Sequence, residues 1–242
     1  MQELSIMKEL GVSPLDIVNY VLLLNRKRKT TFISILKNEK NELNLEKLFK
    51  KEGLVFSKKY NKRGTILADY DVCYNKKFLK IKNDNDCGKM YGYPDCCVED
   101  YVKSHPGELN FVYNTGLFVL KKNGKSIDDF AFSSHIPCCR DKLPKMCNRT
   151  VKLVKEYKNI IEKECRWVIN DVIKQFLSLA PSNLELRKKR NDILADFEVI
   201  YEKRKITMCL SIHKSSKHIE RVKNYLAYLN DDILKEKLLK LF

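Results

Sequence analysis

Long apolar runs are missing from this chain of 242 residues. The longest strongly apolar segment, Tyr20 to Leu24, falls far short of the roughly 20 residues that cross a bilayer, so no membrane partner is expected. The opening residues MQELSIMKELGVSP are interrupted by charges and do not read as a signal peptide. Familiar catalytic signatures are missing too: there is no Walker loop, no GxGxxG, no GxSxG and no HExxH, and no side chain can be named as a catalytic base. No C-x-x-C occurs, which sets aside the usual zinc-ribbon and ferredoxin spacings. Acidic groups are in short supply, 31 against 47 Lys and Arg, for a net charge of +16.

That excess is uneven. Residues 1–80 hold 17 basic and 9 acidic groups, residues 81–139 hold 6 and 8, and residues 140–242 hold 24 and 14. The basic flanks suit a polyanion such as RNA, although a lysine-heavy composition also follows from growth temperature or genome bias. Candidate phosphate contacts are the run Arg26, Lys27, Arg28 and Lys29, and Lys62 and Arg63 in the loop KKYNKRG, where Tyr60 could stack on a base. Both stretches also read as ordinary solvated turns.

What the chain does have is cysteine. Nine is an odd number, and with no leader in view it points to a cytoplasmic, mainly reduced protein. The stretch Gly88 to Cys97, GKMYGYPDCC, is echoed by His135 to Cys139, HIPCC, each with a proline shortly before two adjacent cysteines. Each pair reads as the beginning of a helix, where unpaired N–H groups and the positive end of the dipole favour thiolate. Cysteine is also a small apolar residue suited to burial, and Cys165, on an apolar stripe, is expected in the core.

The pattern along the chain is α+β. Ser13 and Pro14 open a helix, Thr31 to Leu36 reads as a strand, and a short helix through Leu45 to Phe49 stops at Gly53. Leu54 to Ser57 and Thr65 to Tyr74 read as further strands, completing a small α+β part over residues 1–82. A cysteine-rich centre occupies 83–150, and a mainly helical part 151–242, all expected to pack as one unit. In that last part Leu153 to Phe176 keeps helical spacing for roughly seven turns. A second helix is predicted through Ile193, Leu194, Phe197, Ile200 and Tyr201, then a strand from Ile206 to Ile212 and a last pair of helices.

Soft ligands are what zinc or an iron–sulfur cluster takes, usually about four of them. Cys96, Cys97, Cys138 and Cys147 form a plausible set, with His135, Cys139 and Cys87 in reserve. The segments GKMYGYPDCCVEDY and HIPCC resemble an archaeal family known as domain-of-unknown-function family 483, whose members share GYPxCC and HxPC segments. The resemblance implies an archaeal cytosolic protein with a shared cysteine-bearing site, and it implies no established activity. In that family another cysteine follows soon after HxPC, with a small hydroxylated residue behind it. Here Lys142 stands in the cysteine's place, so Cys139 or Cys147 substitutes, or the site is degenerate. Three functions compete: a metal protein, with RNA or a sulfur-containing substrate as candidates for what it acts on; a basic nucleic-acid-binding module with structural cysteines; and a thiol–disulfide redox protein.

Overall fold

The computed structural model describes residues 2–60, 67–80, 83–104, 106–133, 135–138, 146–201, 204–214 and 216–242. Its first third begins with α1 (Gln2–Glu9) and α2 (Pro14–Leu24). The Ser13 side chain caps α2 by accepting from the Asp16 N–H, and Pro14 supplies the first helical residue without wasting a donor. β1 (Thr30–Leu36), α3 (Glu39–Lys51), β2 (Val55–Tyr60) and β3 (Leu67–Cys73) follow. The strands form an antiparallel sheet in the order β1-β3-β2, registered by Ile33 opposite Tyr70 and by Phe56 opposite Val72. Alternation sends Ile33, Ile35, Ala68, Tyr70 and Val72 inward, where α2 and Phe49 of α3 cover them.

The cysteine-rich centre is helical: α4 (Asp84–Met90), α5 (Asp95–Val102), α6 (Pro106–Lys122) and α7 (Asp128–Ser133). α6 is the wall between two apolar cores. Tyr113 and Leu117 belong to the larger core with α2, the first sheet, α7 and two later helices, α8 (Asn148–Glu164) and α9 (Ile169–Ser178). Phe111, Val112, Phe118 and Val119 turn the other way into a smaller core. Its remaining walls are β4 (Glu185–Lys188), β5 (Asp192–Tyr201), β6 (Arg204–His213), α10 (Lys217–Ala227) and α11 (Asp232–Leu239).

The α+β class holds, with two corrections inside it. Residues 192–201 are strand β5, not a helix, and pair along their length with β6 in the sheet β4-β5-β6. The helical spacing of Ile193, Leu194, Phe197 and Ile200 coexists with an alternating set, Ile193, Ala195, Phe197 and Val199. The alternating set registers with Ile212, Leu210, Met208 and Ile206 along the ladder, and that partner strand decides between the two periods. The long helix expected through Leu153 to Phe176 is broken. At Cys165 (φ −145°) the chain leaves α8, makes a 3-10 turn over Arg166–Val168 and resumes as α9. Cys165 is itself fully buried, as expected.

Candidate metal centre

Three separate stretches of chain bring sulfur together. On the first, the Asn83 side chain caps α4, and Gly92 ends the α4–α5 turn in the left-handed region (φ +75°). A Cβ on Gly92 would stand 2.8 Å from the Lys27 carbonyl and 3.1 Å from the Tyr157 hydroxyl, so the turn rests directly on the loop after α2. The Lys29 N–H donates to the Met90 carbonyl at 2.9 Å across the same seam. Gly88 lets α4 approach α5: a Cβ there would lie 2.7 and 2.8 Å from the two Val98 methyls. Pro94 then takes the N-cap position of α5, which places Cys96 and Cys97 in its first turn.

Cys138 lies in a turn after α7, and its backbone N–H donates to the Cys97 sulfur at 3.4 Å. Residues 139–145, where the helix expected after HIPCC would run, lie outside the described residues, and among the described residues of the site the other thiol at a helix start is Cys147. It is the N-cap of α8, and its Sγ accepts from the Thr150 N–H at 3.4 Å. Ligand sulfurs of Cys96, Cys97, Cys138 and Cys147 all lie within 4.8 Å of one another, with Cys97 and Cys147 at 3.9 Å. All four are free thiols. Cys97 is buried and the other three are partly covered.

Behind the sulfurs sits a second layer, formed by Thr150 and by His135 of the HIPCC segment. The Thr150 hydroxyl, fully buried, is 3.1 Å from Cys147 Sγ, 3.5 Å from Cys97 Sγ and 3.3 Å from His135 Nε2. His135 Nδ1 lies 2.8 Å from the Ser133 carbonyl, which can only accept, so that nitrogen carries the proton. Nε2 is then an acceptor for the Thr150 hydroxyl. Burial, helped by the nearby Arg28 charge, brings His135 down to about 4 and keeps it neutral. Its ring stacks on Tyr93, centroids 5.0 Å apart, and Arg28 lies 5.0 Å from the Tyr93 centroid and 5.7 Å from that of Tyr157.

The thiols are not equivalent. Burial pushes Cys97 up to about 12 against the Thr150 and Cys138 hydrogen bonds, and burial with the neighbouring Cys97 and Cys147 sulfurs drives Cys138 up as well. Burial also opposes ionisation of Cys147. There the Thr150 hydroxyl and N–H, followed by the Cys138 and Cys97 thiols, outweigh it and bring the group down to about 7. One thiol is thus poised to ionise first, with donors already aimed at it.

The reserve ligands fare differently. His135 stands one layer back, bonded to Thr150. Cys87 is outside the four-sulfur group, raised by burial and by the charges of Asp71, Asp84 and Asp86. Cys139 and Lys142, like Lys62 and Arg63, lie outside the described residues. Of the remaining candidate phosphate contacts, Arg28 is 3 % exposed, and this burial removes it from any surface role. Arg26 is folded onto the Tyr74 ring at 3.2 Å, Lys27 pairs with Glu156 at 3.3 Å, and Lys29 lies 6.0 Å from the Phe78 centroid. Tyr60, at the end of β2, donates to Glu42 at 2.6 Å. Thr150 is the site residue that sequence reasoning did not name; its signals were its place three residues after Cys147, the spacing of a helix cap and its N3 residue, and the small hydroxylated residue that the resemblance implies behind a cysteine.

No family model, no curated protein and no solved structure matches the chain. No described helix is long and apolar enough to cross a membrane.

Proposed function

We propose that the chain is a metal-binding protein whose Cys96, Cys97, Cys138 and Cys147 hold one tetrahedral ion, zinc in preference to iron. The sulfur spacing carries this reading. Four thiolates about 2.3 Å from a single zinc ion stand about 3.8 Å apart. The 3.9 Å between Cys97 and Cys147, and the 4.8 Å limit on the whole set, need only a slight contraction to match. An iron–sulfur cluster spreads its thiolates over separate iron atoms and holds some of them farther apart. Zinc also outranks ferrous iron for a given donor set.

Four thiolates close the coordination shell and leave no position for a substrate, the pattern of a structural rather than a catalytic ion. When bound, the ion supplies a cross-link and charge neutralisation. The chain's own groups do the rest: the Cys138 N–H and Thr150 direct donors at the sulfurs, and α5 and α8 present them from their first turns. The role proposed is to tie α5, the turn at Cys138 and the start of α8 together.

Elemental and sulfide analysis of protein purified without oxygen tests the proposal. The expected result is about one equivalent of zinc per chain without inorganic sulfide, lost in Cys97→Ser and Cys147→Ser. Iron accompanied by sulfide in similar amount would replace the single ion with a cluster. Less than about a tenth of an equivalent of any metal would remove the metal-binding reading altogether.

A further inference from the structure

Positive charge gathers at one end of the second sheet in excess of the acids around it. Lys188 ends β4, the β4–β5 turn carries Lys189 and Arg190, and the end of β6 brings His213 and the following Lys214 beside it, because Asp192 registers with His213. The Lys214 N–H donates to the Asn191 carbonyl at 2.8 Å, and its amine reaches the Arg190 carbonyl at 3.3 Å. Two residues later Ser216 caps α10, which adds Lys217 and the positive end of an 11-residue helix. Lys189, Arg190, Lys214 and Lys217 are all exposed.

Acids are fewer than cations here, and Glu220 in the first turn of α10 stands nearest in sequence to Lys217. Asp196 pairs with Arg187, Asp192 accepts from Ser211 at 3.0 Å, and Glu108 accepts from Ser216 at 2.9 Å and faces His218. Lys188 is occupied by the Lys240 carbonyl at 2.7 Å. Among the described residues, none of Lys189, Arg190, Lys214 and Lys217 has an ion-pair partner. Holding four like charges together opposes folding, and an external anion relieves it. Residues 187–191 and 213–217 contain no apolar side chain. A protein partner would need a buried apolar anchor there, and a membrane an apolar wedge beside the basic cluster. A nucleic-acid backbone is held by cations alone.

We propose that Lys189, Arg190, Lys214 and Lys217 form a binding site for the phosphate backbone of a nucleic acid, contacting phosphates rather than bases. It uses none of the residues of the cysteine centre and none of the basic residues that the sequence pattern nominated. Fluorescence anisotropy with labelled single-stranded RNA and duplex DNA, repeated across salt concentrations, tests it on the full chain. The fourfold variant Lys189→Ala, Arg190→Ala, Lys214→Ala and Lys217→Ala is expected to bind at least about ten-fold more weakly and to flatten the log K against log salt slope by about 3. A matched variant, Lys47→Ala, Lys50→Ala, Lys152→Ala and Lys155→Ala, loses the same charge from other exposed positions and is expected to keep the native slope. Equal losses in both variants, an unchanged slope in the first, or binding of the unaltered chain to anionic lipid vesicles but to neither nucleic acid would each overturn the proposal. If the fourfold variant melts early, the turn pair Lys189→Ala and Arg190→Ala gives the same reading at about half the slope change.

Discussion

Thr150 has one hydroxyl proton and three polar neighbours, Cys97, Cys147 and His135. Because His135 Nδ1–H is committed to Ser133, Nε2 and the Cys147 sulfur compete for the one Thr150 proton, which points at Nε2 while Cys147 is a thiol and can turn to the sulfur once it is a thiolate. Thr150→Val keeps the shape, leaves Nε2 without a donor in a buried place and strips the sulfurs of a polar neighbour. Metal affinity, read by competition with a chromophoric chelator, is expected to fall about 10- to 100-fold. Metal-free stability is expected to fall by about 1–3 kcal/mol in urea melts. Thr150→Ser, which restores the hydroxyl, is expected to recover most of the affinity. An unaltered affinity in the valine variant would show that the layer behind the sulfurs does not orient them.

At the scale of elements, the α4–α5 unit depends on how closely its helices pass. Val98 occupies the space a Gly88 methyl would need, and backbone on one side and a branched side chain on the other leave little room to yield. Gly88→Ala is expected to destabilise the fold by about 1–3 kcal/mol, and adding Val98→Ala to recover part of it, in denaturant titrations of the single and double variants. The same scale shows where pattern alone ran out. For α2, local chemistry sufficed, since a serine cap followed by proline specifies a helix start wherever it occurs. For residues 192–201 two periods were available in one stretch, and the choice fell to β6, a neighbour that no local window contains. The stripe from Leu153 to Phe176 stays apolar through a change of direction, because α8 and α9 both face the larger core.

Across the whole molecule α6 commits one face to each core, so neither core is sealed without it. Leu117→Ala, on the larger core's side, is expected to cost about 2–5 kcal/mol. Val112→Ala, on the other side, is expected to cost less, and both are expected to shift one shared unfolding transition followed by circular dichroism and tyrosine fluorescence. Two separated transitions would show that the cores unfold independently. Stability should also carry a signature of Asp16. Burial raises its carboxyl to about 7, with Asp69 adding to the effect and the bonds from Ser13 and the Ser34 N–H only partly offsetting it. Between the unfolded value near about 4 and the folded one, the native state holds a proton that the unfolded chain has released. The protonated group's contribution is therefore complete below about pH 4 and drains away as pH rises toward 7. Asp16→Asn keeps an acceptor for Ser34 and cannot ionise, so its advantage over the native chain in urea midpoints should grow from pH 4 to pH 7 and then level off.

By itself the sequence determined the α+β class, the capped start of α2, the strands of the first sheet and the core position of Cys165. It also brought forward Cys96, Cys97, Cys138 and Cys147, since such concentrated thiols point to shared chemistry whatever the fold. These are properties of residue type, period and local capping. Only the tertiary structure decided that the four sulfurs lie within 4.8 Å of one another, that Thr150 and His135 stand behind them, that Arg28 is buried while Lys189 and Arg190 face solvent, and that 192–201 is a strand. The physical reason is the same in each case. A contact between residues 41 or 50 positions apart depends on how whole elements pack, and no local pattern records which neighbour arrives there.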